Sequence, residues 1–179
     1  MIDYIRESSN IILDVITNST TLSKLSIGEK IVIDEIDIIP IIKQIVNESS
    51  TLLQSNNIEL VLKLPEKLYV NANPIIKEVV RNYLINAIKY GNAGKKITIE
   101  AKHNKSSTKL YIDDYGKSLS KDDFVRIFDR GFRLSKKTVR GSGLGLAIVK
   151  RIAEAHGGTA RGKPLAPKGN RFILELPDT

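Results

Sequence analysis

Three polar residues, Glu78, Asn82 and Asn86, recur at every fourth position among the apolar residues of segment 78–90. In a helix, residues four apart lie on one face, so these side chains form a single stripe. A polar stripe on so apolar a helix needs hydrogen-bonding partners. The amide oxygen of Asn86 suits Mg²⁺, a hard ion that takes oxygen ligands beside phosphate groups, and Lys89 adds positive charge nearby. Taken alone, the segment favours an exposed amide stripe.

A second group follows a predicted strand, where Asp113 and Asp114 precede Tyr115 and Gly116. A carboxylate can accept a hydrogen bond from a ligand's amino group, and the bare backbone of glycine lets a flat ring come close. Such a turn is also common where nothing binds. By itself, therefore, this group indicates a turn rather than a site.

Glycines alternate at positions 141, 143 and 145 and lead into an apolar segment that is predicted to be helical. Their exposed N–H groups and the positive end of the helix dipole form an anion site. The spacing differs from the dinucleotide-binding fingerprint, no strand leads directly into it, and the lysine of a P-loop is missing. The motif alone leaves the kind of anion open.

The segment 130–143 ahead of this helix is polar, basic and glycine-bearing, and we predict that it is a mobile loop. Phe124, Phe128 and Phe132, which lead into this segment, are four residues apart, a spacing that predicts the core-facing side of a helix. The basic residues of the loop are Arg130, Arg133, Lys136, Lys137 and Arg140.

Strands and helices alternate around these motifs. Apolar alternation predicts strands, whereas wider apolar spacing bounded by capping residues predicts helices. The predicted strands are 31–36, 58–64, 69–70, 97–102, 109–113, 159–162 and 171–176. The predicted helices are 40–55, 73–90 with Asn73 as its cap, a short one from Ser120 with Asp123 completing a capping box, and 144–156.

Residues 2–26 read as one long helix of roughly 35 Å at 1.5 Å per residue. Its apolar residues fall at heptad-type spacing, which is typical of a helix that packs against partner helices. Packing against its own domain is the alternative. The seam consists of Ile5, Ile12, Val15, Ile16 and Leu22, and a break follows at Gly28.

The composition fits a globular domain, because 179 residues of which 41% are hydrophobic can build a core. We find no apolar run of about 18 residues or more and no signal-peptide pattern. The chain has no cysteine, which excludes disulfides and thiolate metal sites and is compatible with the cytoplasm. The net charge is +8, and 11 of the 28 basic but only 3 of the 20 acidic residues follow Asp129. Such an excess fits a polyphosphate, an acidic protein, nucleic acid or a solvated basic face.

In this order, the four motifs resemble the catalytic domain of sensor histidine kinases, within the ATPase superfamily of gyrase, Hsp90, histidine kinases and MutL. Residues 82–90 resemble the N box, 114–116 the first glycine box, 128–133 the F box and 141–145 the second glycine box. The resemblance extends over residues 30–177, including His156-Gly157-Gly158 and the closing strand.

The resemblance implies an α+β protein, a two-layer α/β sandwich of the Bergerat type with a mixed sheet and helices on one face, preceded by one long helix. Residues 2–26 resemble the second helix of the dimerisation and phosphotransfer hairpin. The expected domains are therefore a partial hairpin helix, 1–28, and a catalytic ATP-binding domain, 29–179.

The resemblance also implies ATP and Mg²⁺ as ligands. Asn86 would coordinate Mg²⁺ with support from Asn82, and Asp114 would accept a hydrogen bond from the adenine amino group. Guanine has a carbonyl oxygen at the position of the adenine amino group. That oxygen would face the Asp114 carboxylate, acceptor against acceptor, which favours ATP over GTP. Lys89, Arg133 and Arg140 would reach the phosphates and Tyr90 would border adenine. The remaining expected ATP-site residues are Gly116, Phe128, Gly141, Gly143, Leu144 and Gly145.

Two positions depart from related patterns. Ser118 stands where the family has the second glycine of the first glycine box, which puts the backbone turn beside adenine in question. Asn82 stands where gyrase-type hydrolases carry glutamate, and an amide cannot take a proton from water. That favours phosphate transfer to a histidine over hydrolysis.

The expected function is the catalytic core of a two-component sensor histidine kinase in the cytoplasm, acting by positioning and charge neutralisation. His103, in a predicted strand, and His156, at a helix end, are expected to be structural. The phosphoacceptor would lie on a segment absent from this chain, which would not label itself. Expected partners are the phosphotransfer helix, a response-regulator receiver domain and, in the full-length protein, a second copy, but not nucleic acid. The alternatives are a conformational-switch ATPase of the superfamily and a non-catalytic module that binds an acidic partner.

Overall fold

The computed structural model describes residues 31–132 and 143–178, together with residues 16, 20 and 23. Short 3-10 turns at Pro74–Ile76 and Asn92–Gly94 precede and follow the third helix. The elements in chain order are β1 (Asp34–Asp37), α1 (Ile38–Glu48), α2 (Ser50–Ser55), β2 (Glu59–Lys63), β3 (Tyr69–Ala72), α3 (Lys77–Gly91), β4 (Lys96–Asn104), β5 (Ser107–Asp114), α4 (Lys121–Arg126), α5 (Gly145–Ala155), β6 (Thr159–Pro164) and β7 (Asn170–Pro177).

Five strands form a mixed sheet in the order β2-β4-β5-β7-β6, in which β2 pairs with β4 in parallel and the other pairs are antiparallel. The predicted mixed sheet is therefore confirmed. We predicted that all strands share it, but β1 and β3 pair with each other in a separate two-stranded sheet. Asp37 is the last residue of β1, and its carboxylate accepts hydrogen bonds from the N–H groups of Ile39 (3.1 Å) and Leu68 (3.0 Å). The carboxylate thus links the end of β1 to the residue that precedes β3.

The core lies between one face of the large sheet and the helices α1, α3 and α5. Strand residues alternate between the two faces, so every second side chain of β4, β5 and β7 points at the helices. Tyr83 anchors α3, because its ring lies 5.4 Å from that of Phe172 and its hydroxyl donates to the Ile173 carbonyl (3.1 Å). The buried strand residues on this face include Ile97, Ile99, Leu110, Ile112, Phe172, Leu174 and Leu176.

The opposite face of the sheet is polar. The ring of Tyr111 lies between the cationic groups of Lys102 and Arg171, at 5.1 and 4.8 Å from its centroid. Arg171 also forms a bidentate ion pair with Asp113 (2.8 and 2.6 Å). The domain is thus a two-layer sandwich with helices on one face, as predicted from the sequence.

Local chemistry explains several element boundaries. The Asn73 carboxamide accepts from the Ile75 N–H (3.0 Å), and Ser120 and Asp123 form the predicted capping box. The helix predicted at 40–55 begins earlier, at Ile38, because Asp37 caps it. It is also divided at Ser49, whose hydroxyl donates to the Ile45 carbonyl (2.8 Å).

One further prediction needs correction, and another concerns residues that the structure describes only in part. The helix from Ser120 ends at Arg126, so Phe128 and Phe132 do not extend its face, although both pack on the core together with Phe124. Of the predicted N-terminal helix the structure describes only residues 16, 20 and 23, which are helical. Within the described residues we find no helix with the length and hydrophobicity needed to cross a membrane.

Candidate nucleotide-binding site

The N-box helix α3 directly contacts the start of α5. Asn82 Nδ2 donates to the Glu78 carbonyl (2.8 Å), which fixes the orientation of the amide. The other side of that amide lies against Gly145, where a β-carbon would overlap Asn82 Oδ1. Asn82 and Asn86 are both half-buried on the same helical face. Asn82, the middle residue of the predicted stripe, therefore lies against the last glycine of the second glycine box.

The N-terminus of α5 has the features of an anion-binding site. The helix begins at Gly145, with neither a side-chain cap nor an acidic residue in its first turn. The first backbone bond of the helix runs from the Ile148 N–H to the Leu144 carbonyl (2.9 Å). In the first turn, the N–H groups of Gly145, Leu146 and Ala147 have no intrahelical acceptor, and the helix dipole makes this end positive. Since residues 143–146 are half-buried rather than covered, a phosphate group can reach these donors.

The F box meets the second glycine box through its backbone. The Gly131 N–H donates to the Gly143 carbonyl (3.2 Å), and both glycines have positive φ, +77° and +69°, a conformation that favours glycine. Phe128 is buried in the core, and the Arg126 guanidinium lies 4.5 Å from the ring centroid of Phe132. Three predicted site residues, Arg133, Arg140 and Gly141, lie outside the described residues.

Asp114 is a buried carboxylate at the end of β5, only 1% exposed. Its Oδ1 accepts from the Gly116 N–H (3.0 Å) and from Asn170 Nδ2 (3.0 Å), whereas among the described residues Oδ2 accepts only the longer bond from Asn170 (3.2 Å). The charged neighbour that acts on its pKa is Asp113, another carboxylate, rather than a cation. Burial raises the pKa of Asp114 to about 6, although the hydrogen bonds from Gly116 and Asn170 act in the opposite direction. Such a carboxylate is suited to a ligand amino group, because Oδ2 retains accepting capacity.

Glycines let the end of α3 pack onto this carboxylate. A β-carbon at Gly91 would lie 2.7 Å from Asp114 Cγ, and one at Gly116 would lie 2.7 Å from the Gly91 Cα. Tyr90 precedes this contact and is 49% exposed. The N box therefore meets the first glycine box at one end and the second glycine box at Asn82.

Two residues that we did not single out from the sequence, Gly169 and Asn170, hold the first glycine box. Asn170 bonds Asp114, and the Gly169 N–H donates to the Ser118 hydroxyl (2.9 Å). In the described residues, only Asn57 and Lys95 combine a positive φ with a side chain, so Ser118 needs no glycine-like conformation. The sequence offered one signal, an asparagine at the start of a predicted strand, but its register opposite Asp114 was not predictable.

The described side chains do not form a metal site by themselves. Among them we find no group of three or more His, Asp or Glu residues that could hold an ion. Mg²⁺ commonly uses one or two protein oxygens and completes its shell with phosphate oxygens and water. The half-buried amide of Asn86, one helical turn from Asn82, fits that more limited role.

Both histidines have local partners away from this junction. His156 is buried at the opposite end of α5, where its Nε2 accepts from the Asn73 N–H (2.9 Å) and its Nδ1 contacts the Ile152 carbonyl (2.7 Å). His103 lies on β4, 3.3 Å from Thr108 Oγ1 and 3.5 Å from an Asp178 carboxylate oxygen. These contacts are consistent with the structural roles expected from the sequence, although the side chain of His103 is half exposed.

The fold and the site together define a class of ATPase. Residues 71–179 match the family of histidine kinase-, DNA gyrase B-, and HSP90-like ATPases, and this chain belongs to that family. One curated relative is the sensor histidine kinase YcbM of Bacillus subtilis, which is 30% identical over 164 residues. The match covers 88% of this chain and 53% of YcbM, so the chain spans about half the length of that relative.

Solved structures agree with this assignment. The catalytic domain of histidine kinase ThkA is 26% identical, with a TM-score of 0.72, over 82% of this chain and 98% of that domain. Full-length ShkA in complex with AMPPNP is 23% identical, with a TM-score of 0.83, over 99% of this chain and 38% of ShkA. ThkA is also known in complex with response regulator protein TrrA, at 23% identity and a TM-score of 0.77, over 98% of this chain and 51% of that ThkA chain.

Proposed function

We propose that this chain is the ATP-binding catalytic core of a two-component sensor histidine kinase, and that it transfers the γ-phosphate of ATP to a histidine outside this chain. The observation that carries the proposal is the convergence of four separate motifs. Asn82 contacts Gly145, Gly91 contacts Asp114, and Gly131 bonds Gly143. An ATP molecule extended along α3 can therefore meet a buried carboxylate at one end and a positive helix end at the other.

The base would bind at the first glycine box. Asp114 Oδ2 would accept a hydrogen bond from the adenine amino group, Gly116 would leave room for the ring, and Tyr90 would border it. Guanine would turn a carbonyl toward the same carboxylate, which costs a hydrogen bond and leaves two acceptors facing each other. The site thus favours ATP over GTP.

The phosphates would bind at the N-terminus of α5. The backbone N–H groups at the start of α5, from Gly145 onward, would act as donors, and Gly143 and Leu144 belong to the same expected phosphate-binding segment. The amide oxygen of Asn86 would help to hold Mg²⁺, which would supply positive charge beside the phosphates. Lys89 adds positive charge on the same helix, and the sequence adds Arg133, Arg140 and Gly141 as further phosphate contacts.

The residues at the junction favour transfer rather than hydrolysis. Asn82 carries an amide, which is not basic enough to accept a proton from water. Its nitrogen donates a hydrogen bond to the Glu78 carbonyl. The neighbouring carboxylate of Glu78 lies 3.5 Å from Arg81. Catalysis would consist of positioning the γ-phosphate and neutralising its charge while a histidine side chain attacks.

The acceptor and the partners follow from the same proposal. Because His103 and His156 both have structural contacts, the acceptor would belong to a phosphotransfer helix elsewhere in the protein. Residues 1–28 would be part of that hairpin and 29–179 the catalytic domain. The full-length protein would be a cytoplasmic homodimer, or the cytoplasmic part of a larger sensor, that passes phosphate to a response-regulator receiver domain.

Calorimetry and labelling test this proposal. The chain should bind ATP in the presence of Mg²⁺ and discriminate against GTP, yet acquire no acid-labile label from radioactive ATP. Label on His103 or His156 would contradict the proposed acceptor. Sustained release of inorganic phosphate would favour the conformational-switch ATPase, and failure to bind any nucleotide would favour a non-catalytic module that docks an acidic partner.

A further inference from the structure

We propose that Asn170 is a positioning residue for base recognition, which holds the Asp114 carboxylate and the loop 117–119 in the arrangement that accepts the adenine amino group. This inference rests on the proposed function, because it takes Asp114 as the adenine contact. Asn170 lies outside the first glycine box, which consists of residues 114–116.

The Asn170 side chain is 4% exposed, and its polar atoms are all engaged. Nδ2 donates to both carboxylate oxygens of Asp114 (3.0 and 3.2 Å) and to the Lys117 carbonyl (2.9 Å). Oδ1 accepts from the Leu119 N–H (2.8 Å). One amide therefore joins the start of β7 to the end of β5 and to the loop that follows β5.

The residue before Asn170 extends the same connection. The Gly169 N–H donates to Ser118 Oγ (2.9 Å), so the pair 169–170 holds three consecutive loop residues. Gly169 has a φ of +119°, and a β-carbon there would lie 2.9 Å from the Cα of Tyr115. The start of β7 is thus packed too closely against the first glycine box for either to move alone.

An amide suits this position better than a charged side chain. A lysine or arginine would form an ion pair with Asp114 and compete with the ligand's amino group for the same oxygens. The neutral amide orients the carboxylate but leaves Oδ2 able to accept a further hydrogen bond. The Asn170 hydrogen bond also opposes the effect of burial on the pKa of Asp114, which helps the carboxylate to remain an acceptor.

The test compares two nucleotides on each variant by calorimetry with Mg²⁺, namely ATP and purine riboside 5′-triphosphate, which lacks the 6-amino group. The wild type should bind ATP about tenfold or more tightly than the analogue, as expected for a hydrogen bond to a charged acceptor. Asn170→Ala should reduce this ratio to about threefold or less, with little change in affinity for the analogue. Ser107→Ala is the matched control, because the Ser107 hydroxyl bonds Glu175 at the far end of β5 (3.1 Å) and its loss should leave the ratio unchanged.

Other outcomes separate the two proposals. If the wild type does not distinguish the nucleotides, the adenine contact in the proposed function fails. If the wild type distinguishes them but Asn170→Ala lowers both affinities equally, Asn170 is merely structural and the present inference fails. Should Asn170→Ala not fold, the milder Asn170→Ser, which keeps one donor, must still show a smaller ratio than the wild type, and an undiminished ratio overturns the inference.

Discussion

The side-chain oxygen of Asn82 lies in the space that a β-carbon on Gly145 would need. The amide cannot simply reverse, because its nitrogen donates to the Glu78 carbonyl at 2.8 Å. A glycine at the start of α5 is therefore what lets helix α3 approach the N-terminus of α5 this closely.

Gly145→Ala should destabilise the domain despite the better helix propensity of alanine. Overpacking of this kind costs about 1–3 kcal/mol. Adding Asn82→Ala removes the overlapping oxygen, so the double variant should recover most of the loss, with a coupling of about 0.5–3 kcal/mol. Urea unfolding of the four proteins in the cycle gives this coupling. Additive effects, or a Gly145→Ala variant as stable as the wild type, would show that the two helices can separate freely.

Asp114→Asn should weaken ATP binding more than about tenfold, because the hydrogen bond to a charged acceptor is lost. It should not reduce stability. The pKa of Asp114 is raised from 3.8 to about 6 in the folded protein, so the native state binds this proton more tightly than the unfolded chain. The free energy of unfolding therefore falls as the pH rises from about 4 to about 6. Above that range, the buried ionised carboxylate lowers the free energy of unfolding by up to about 3 kcal/mol relative to its protonated form.

Calorimetry and chemical unfolding at neutral pH measure both effects of Asp114→Asn. In the variant, the new amide nitrogen would face Asn170 Nδ2, which offsets part of the gain in stability. Equal or higher stability with weaker ATP binding is therefore the expected result. Unchanged affinity in a folded variant would mean that another group contacts the base.

ATP affinity should also fall as the pH is lowered through about 6, because protonated Asp114 is a weaker acceptor and can turn an O–H donor toward the adenine amino group. The neighbouring charge of Asp113 raises the pKa of Asp114, although Asp113 is itself paired with Arg171 at 2.8 and 2.6 Å. The triphosphate titrates in the same range, so the comparison must be made with Asp114→Asn. A pH profile that is the same for both proteins would assign the dependence to the nucleotide alone.

Features that depend on neighbouring residues were predictable from the sequence. The cap at Asn73 and the capping box at Ser120 are local patterns, and both are present. The stripe of Asn82 and Asn86 follows directly from helical spacing. The division of the helix at Ser49 was not predictable, because serine also occurs within helices and nothing in its neighbours marks the break.

The role of Asn170 could not be predicted for a different reason. Its partner Asp114 lies 56 positions away, and their contact depends on the register between β5 and β7. Shifting that register by one residue would turn Asn170 to the other face of the sheet. A sequence shows which residues can do chemistry, whereas the strand pairing decides which of them meet.

Ser118→Gly restores the glycine that the resemblance leads one to expect, yet it should destabilise the domain. The variant loses the hydrogen bond from the Gly169 N–H, worth about 0.5–1.5 kcal/mol, and gains freedom in the unfolded chain. ATP affinity should fall only slightly, since Asn170 still holds Asp114. Thermal unfolding with and without nucleotide measures both effects, and a more stable variant would show that Ser118 strains the loop.

Asn86→Ala tests the metal-binding role of the N box. If Asn86 supplies an oxygen to Mg²⁺, its loss should weaken ATP binding by about tenfold or more in the presence of Mg²⁺. In EDTA the wild type and the variant should bind ATP alike, because the amide then contacts no metal. Asn47→Ala is the matched control, since Asn47 is an exposed asparagine on α1, outside the proposed site. Its replacement should leave the ATP affinity unchanged both with Mg²⁺ and in EDTA. An equal loss of affinity with and without Mg²⁺ would indicate that Asn86 contacts the nucleotide directly and that the ion is held by other groups.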